Sequence, residues 1–429
     1  MNNEITTAEL IAGTVKKRRA REKRLKLYGI AAVVAGVILV VILMASIVSL
    51  GYKAFWQSFI ALDINFDPEV IAPGGIRDPD TLRQADYGLL VKRALKELFP
   101  DIRNRRQKRA LYRLVSVGAP DVLRKMVMKD PDLIGTVKTV WLPAHSDVDM
   151  FMKGYINPDE PESQRRLKDF QLAWIQRLIH ENRLEKRFNS LFFLSGDSRE
   201  PELAGILGAL MGSIYTIIIT LLLSFPLAVA AAIYLEEFAP KKNFWVDLIE
   251  VNINNLAAIP SIVFGLLGLA VFLGFFGLPR STPLVGGLVL ALRTMPIIII
   301  ASRSALKAVP PWIRQAALGI GASKMQMITD HVLPLALPGM LTGTIIGLAQ
   351  ALGETAPLLM IGMVAFVVDI PKSFLDPATV LPVQIYLWAD SAERGFVEKS
   401  AAAIIVLLLF MLIMNALAIV LRKRFERRW

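Results

Sequence analysis

The chain has 429 residues, a formal net charge of +12, three histidines and no cysteine, and 54% of it is hydrophobic, giving a mean hydropathy of +0.49. Such apolar content excludes an ordinary soluble domain, and the lack of cysteine excludes disulfides and thiolate metal sites. The positive charge does not point to nucleic acid, because the basic residues gather at the borders of apolar runs, which is the pattern of membrane topology.

About six apolar runs meet the need for ~20 residues per bilayer crossing. They are 27–50, 204–234, 256–276, 284–301, 338–363 and 401–421. The first follows a basic tail, 1–26, that is dense in Lys and Arg from Lys16 to Lys26. Its apolar core is too long for a secretory signal and no small-residue cleavage site follows Leu50, so it reads as a retained anchor. A second basic tail, 422–429, closes the chain with Arg422, Lys423, Arg424, Arg427 and Arg428. Basic flanks at both ends predict that both termini are cytoplasmic.

That start places 52–203 outside the cytoplasm, as a mainly helical domain inserted after the first membrane helix 27–50. Asp80-Thr81 are expected to cap a helix through about Phe99, with Leu82, Ala85, Leu89, Leu95 and Leu98 facing inward. A second helix is expected from Glu162 to Asn182, using Leu167, Phe170, Trp174 and Leu178. Val137 to Trp141 alternates as a single strand. Asp147, Asp149, Asp159 and Glu160 read as solvated loop acids. His145, His180 and His331 lie too far apart in sequence to suggest a metal site. No catalytic constellation is visible.

Residues 204–421 hold the remaining runs, and between the fourth and fifth lies a predicted cytoplasmic loop, 311–334. It contains Gln315-Ala316-Ala317, then Gly321, Ser323 and Pro334. Ala316 and Ala317 permit close helix packing, Gly321 permits a turn with positive φ, and Ser323 to Gln326 reads as a capping box. Pro334 and Pro338 are expected to restart the chain as a new membrane helix. This pattern resembles the EAA loop of ABC-transporter permeases. Gln315 stands where that family usually has Glu, and His331 where it usually has an aliphatic residue. The resemblance implies an elbow that docks onto a separate pair of ATPase subunits.

In the fifth run, Gly339, Gly343 and Gly347 recur every four residues and form a ridge where another helix can approach closely. Gln350 and Glu354 lie on the adjoining stripe. An intramembrane carboxylate is costly and normally faces a partner or an aqueous path. Pro357 follows three residues later, where a loosened helix would offer backbone amides to an anion. Arg293, near the middle of the fourth run, is the cation that could bind oxyanion oxygens. The candidate substrate path is therefore Arg293, Gln350, Glu354 and Thr355.

Four segments carry a narrower resemblance: Ala232 to Phe238 (AIYLEEF), Ala258 to Leu266 (AIPSIVFGL), Gly353 to Leu359 (GETAPLL) and Leu381 to Tyr386 (LPVQIY). In this order they resemble the PstA-type phosphate permeases, from about Asn189 to the C-terminus. The segment at roughly 52–188 resembles only an extra domain carried by some such chains. The resemblance implies an all-α polytopic membrane protein with the type I ABC importer permease fold of about six transmembrane helices. It implies a non-catalytic subunit in the bacterial cytoplasmic membrane that moves phosphate by alternating access among membrane lipid.

The implied partners are the ATPase pair, a sister permease completing a heterodimer, and an extracytoplasmic phosphate-binding protein. No cofactor is implied, because no Gly-x-x-x-x-Gly-Lys-Ser/Thr occurs and ATP would bind the partner ATPase. The family often has Arg at the places of Gln350 and Ile300, so Arg293, seven residues before Ile300, stands in for that charge at another depth. Rival readings are a permease for another oxyanion such as sulfate, or a membrane signalling protein that senses phosphate status.

Overall fold

The computed structural model describes residues 7–240 and 243–425. The parts of the two basic tails at 1–6 and 426–429, with Arg427 and Arg428, lie outside the described residues. The chain forms two compact units, one up to Leu50 and one from Gly51 on. In the first, a single helix, Thr7–Gly51, runs through both the basic stretch and the first apolar run. No proline occurs there and its glycines are isolated, so nothing breaks the helix at the expected border near residue 27.

The second unit opens with a 3-10 turn, Tyr52–Phe55, that feeds β1 (Trp56–Asn65). β2 (Val137–Pro143) and β3 (Leu184–Phe188) flank β1 on either side, both antiparallel to it. Ile60 stands opposite Leu142 on one side and Leu184 on the other. Ile60, Leu62 and Ile64 share one face by the two-residue period of a strand, and all three are fully buried. They join one core with Leu90 and Leu95 of Tyr87–Leu98, Leu123 and Val127 of Ala119–Lys129, and Ile175 and Leu178 of Asp169–His180.

The chain is mainly helical, as expected, and the sheet adds two strands to the one expected at 137–141. β1 escapes notice because it follows the membrane helix almost directly and, as the central strand, carries a nearly continuous buried run. β3 (Leu-Glu-Lys-Arg-Phe) is a charged edge strand, a composition that discourages further pairing.

The helix expected over 80–99 is two helices, Pro79–Gln84 and Tyr87–Leu98. Asp78, not Asp80-Thr81, precedes the first, and Asp86 caps the second by accepting from the Leu89 amide at 3.0 Å. The helix expected over 162–182 begins only at Asp169, after a 3-10 turn at Glu162–Gln164.

Asp149 is not a solvated loop acid. It is 7% exposed, accepts from the Ser58 amide at 2.8 Å and pairs with Lys153 one helical turn on at 2.6 Å. Lys153 also meets Glu398, at the start of the last helix, and Lys399 donates to the Ala204 carbonyl at 3.1 Å. Buried, hydrogen-bonded charges therefore join the sheet domain to the membrane region. Nearby, burial pushes the Glu202 carboxyl above its usual range.

Five helical stretches among the described residues are long and apolar enough to cross a membrane: Arg18–Phe55, Leu207–Phe238, Pro283–Ala308, Lys324–Leu352 and Gly395–Arg424. A bent pair, Phe244–Ala258 and Ser261–Phe275, makes a sixth. The third span, expected at 256–276, is one arm of this pair, bent by 101° from the other because Pro260 drives Ile259 into extended backbone. The fifth span, expected at 338–363, is also broken. Its helix Leu333–Leu352 stops at Gly353, and a short helix, Ala356–Met360, follows. The two broken spans meet: a Cβ on Gly265 would lie 2.7 Å from Pro357 Cα.

Pro283–Ala308 is the central helix. On one side Gly287 lets Leu207–Ile233 approach, since an added Cβ would lie 2.5 Å from Ile219 Cβ. On the other side Gly339, Gly343 and Gly347 sit against Ala305, Ala301 and Thr294, where added Cβ atoms would fall at 2.7, 2.1 and 2.7 Å. Gly343→Leu should therefore force the two helices apart and destabilise the subunit by about 1–3 kcal/mol or more, the cost of overpacking. Gly319→Ala, with open space around it, is the control. Equal melting temperatures for the two purified variants would show that the ridge carries no packing.

Candidate functional site

The first part of the site is the break in the fifth span. Gly353 ends the helix, its amide reaching the Gln350 carbonyl at 3.2 Å, and Glu354 follows in irregular backbone. Pro357 has no amide, and the Thr355 and Ala356 amides have no backbone acceptor among the described residues. The loosening therefore lies at Glu354 itself, rather than beyond it in a continuing helix. Glu354 Oε1 forms an ion pair with Arg293 Nη2 at 2.5 Å.

The side chains of Arg293 and Glu354 are 13% and 18% exposed, while the other guanidinium edge, Nη1, is buried without a partner among the described residues. A buried donor without an acceptor costs about 1–3 kcal/mol, so the pair leaves one binding function unused. Of the residues predicted for the path, the structure joins Arg293, Glu354 and, through the chain, Thr355. Gln350 is exposed.

The second part is the elbow between the fourth and fifth spans. Pro311 opens the helix Pro311–Gly319, Gly321 takes φ +90°, and the Ser323 capping box starts the next turn. Ser323 Oγ accepts from the Gln326 amide at 3.2 Å, and Gln326 Oε1 accepts from the Ser323 amide at 2.9 Å. Only Ala317 of the alanine pair is buried, at 4% exposure; Gln315, Ala316 and Gly321 face outward.

Pro334 does not restart the chain. The turn Lys324–Gln326 runs through a π segment, Met327–Val332, into Leu333–Leu352, and Pro334 sits at the junction where the π segment gives way to the α-helix, so its missing amide falls at a change of hydrogen-bond register. A groove of about 840 Å³ lies between Trp312, Ala316 and Ile320 of the elbow and His331, Pro334 and Leu335. Trp312 and Ile320 are 66% and 82% exposed, so the outer face is apolar and uncovered.

One clamp escaped the sequence reading. Arg314 donates to Glu237 Oε1 through Nη2 at 2.7 Å and through Nε at 3.1 Å, and also to the carbonyls of Val309 (2.7 Å) and Leu306 (2.8 Å). Glu237, 7% exposed, ends the second span, so the elbow is tied to that span and to the end of the fourth. Beside it Arg303 bonds Glu250 at 2.5 Å, and Lys307 lies 3.6 Å from Glu236. The available signal was the Glu236-Glu237 pair, set at the end of a long apolar run where acids are expensive.

Comparison with known proteins sets this geometry in context. Residues 224–429 match a family model described as a binding-protein-dependent transport system inner membrane component. Residues 12–162 match a domain of unknown function. The phosphate transport system permease protein PstC of Haemophilus influenzae is 30% identical over 253 residues, 53% of this chain and 78% of that protein. The corresponding PstA of Yersinia pestis is 31% identical over 217 residues, 50% of this chain and 71% of that protein. A structure of the MetNI methionine ABC transporter in an inward-facing conformation aligns with 50% of this chain and 95% of its own, at a TM-score of 0.42 and 17% identity.

Proposed function

The chain belongs to the binding-protein-dependent ABC transporter permeases, in the family of the PstA and PstC phosphate permeases, and we propose that its cargo is inorganic phosphate. It is a non-catalytic, multi-pass inner-membrane subunit, and ATP hydrolysis falls to a partner ATPase. In the proposed cycle the ATPase seats on the exposed apolar face of the elbow, and its closure moves the spans to which the elbow is clamped. A sister permease completes the pore, and an extracytoplasmic binding protein delivers the anion.

The observation that carries the phosphate reading is the Arg293–Glu354 pair at the broken fifth span. With Glu354 on one nitrogen, the free edge of the guanidinium can take oxyanion oxygens in the fork geometry that arginine provides. Glu354 holds Arg293 in place between transport events and accepts the proton of a protonated phosphate oxygen. That last role separates phosphate from sulfate, which carries no proton at neutral pH. The test is ATP-dependent uptake into vesicles holding the reconstituted complex, with sulfate as competitor. Phosphate uptake unaffected by excess sulfate is expected; preferential sulfate uptake would replace the cargo.

Orientation follows from the basic flanks and the need for an ATPase at the elbow. Both termini and 311–334 are cytoplasmic in this reading, and 52–203 is extracytoplasmic. Protease added to intact spheroplasts should cut within 52–203 and spare 311–334. The opposite cleavage pattern would invert the topology.

A further inference from the structure

We propose that the sheet domain carries a binding cleft for a small molecule with two or more phosphoryl groups, set where the domain meets the membrane region. The cleft has a volume of about 820 Å³. One wall is the helix Arg105–Tyr112 with the residue after it, presenting Arg105, Arg106, Arg109 and Arg113. The opposite wall supplies Arg166 and Lys168. Two carboxylates line it, Asp147 and Glu393, and Arg166 engages both, at 3.7 and 2.5 Å.

A solvated charged face is the ordinary explanation for such a run, and three observations argue against it. First, most other arginines of the domain are paired, with Arg93, Arg124, Arg177, Arg183 and Arg187 each 2.7–3.3 Å from a carboxylate and Arg77 and Arg103 exceptions among the described residues. The four arginines of this wall have no such partner among the described residues. Second, like charges one turn apart oppose the helix that holds them, and the helix gains no packing from them, because its core contact is Leu111. Third, the charges converge across a concave space instead of dispersing over a convex surface.

Size and charge set the ligand class. Four unpaired guanidinium groups on one wall, beside Arg166 and a Lys168 that lies 3.3 Å from Glu162, exceed what one tetrahedral oxyanion can contact. A chain of phosphoryl groups spans the gap and offers each arginine a pair of oxygens. Glu393 belongs to the loop just before the last membrane helix, so an occupant also bears on the joint between domain and membrane region. The proposal does not rest on the transport reading, since the purified chain alone gives the answer.

The experiment is titration of the purified full chain in detergent with tripolyphosphate, orthophosphate and sulfate at equal ionic strength, read by calorimetry. Tripolyphosphate should bind at least about tenfold more tightly than the other two. The double variant Arg109→Gln with Arg113→Gln should lose about tenfold or more, and Arg124→Gln, whose arginine is already paired, should lose nothing. If the first double variant folds poorly, Arg105→Gln with Arg106→Gln on the same exposed wall serves instead. Tripolyphosphate binding no tighter than sulfate, or an equal loss in Arg124→Gln, would reduce the cleft to general surface charge. Binding only to vesicles containing phosphatidylglycerol, with none to tripolyphosphate, would assign the arginines to the membrane surface and overturn the proposal.

Discussion

Arg293→Gln is expected to abolish phosphate uptake while the complex still assembles and hydrolyses ATP. Arg293 offers a free, buried Nη1 edge beside the Glu354 contact, and glutamine keeps the bulk but removes the positive charge that an anion needs inside a membrane. The competing account treats the two side chains as a structural ion pair. On that account the single change strands a mostly buried carboxylate at a cost of about 3–5 kcal/mol, and the subunit should be depleted or misassembled.

The double variant Arg293→Gln with Glu354→Gln separates the accounts. Both desolvated charges leave together, so a structural pair predicts recovered assembly and much of the uptake. If Arg293 holds the anion, assembly is intact in the single and the double variant alike, and uptake stays absent in both. Robust uptake by the double variant would remove Arg293 from the path and direct attention to a cation from the sister permease. Subunit abundance in the membrane and radiolabelled phosphate uptake are the two measurements.

Features set by neighbours in sequence were legible before the structure. The Ser323–Gln326 capping box needs only three residues of separation, and a glycine is the natural occupant of the φ +90° position at Gly321. The four-residue repeat of Gly339, Gly343 and Gly347 advertised a close helix contact, although not that Ala301 and Ala305 would fill it. Partners distant in sequence were not legible. Glu237 and Arg314 are 77 residues apart, and Lys153 and Glu398 are 245 apart, so no periodicity links them.

Composition also misled where two elements run together. The apolar strand β1 follows the first membrane helix with only a 3-10 turn between, and its alternation is lost beside the span. Both broken spans contain visible prolines, Pro260 and Pro357, yet a proline signals a weak point without giving the bend. The 101° bend at Pro260 and the contact of Gly265 with Pro357 are tertiary choices.

The clamp at the elbow carries the other large effect. Arg314→Ala should uncouple the transporter, with phosphate uptake lost, weak co-purification of the ATPase, and the membrane spans still inserted. The side chain binds one carboxylate through two nitrogens and two helix-end carbonyls, and Glu237 is only 7% exposed. Removing the guanidinium leaves a buried carboxylate and two carbonyls unsatisfied, at about 3–5 kcal/mol for the broken pair alone. That cost falls on the joint and not on the spans, whose packing depends on the glycine contacts.

Once freed, the elbow helix would no longer move with Leu207–Ile233, and force applied to its outer face would be lost in a flexible loop. Arg314→Lys should recover only part of the coupling, because an ammonium keeps the charge but cannot hold the carboxylate by two nitrogens and both carbonyls at once. Arg314→Met with Glu237→Leu should restore the stability of the joint, since apolar replacement of a buried pair is often neutral or better. If that double variant regains stability and uptake together, the clamp acts only by making the joint rigid. If it regains stability without uptake, the ion pair itself is broken and remade during the cycle. Wild-type uptake and phosphate-stimulated ATP hydrolysis in Arg314→Ala would remove the clamp from the coupling path altogether.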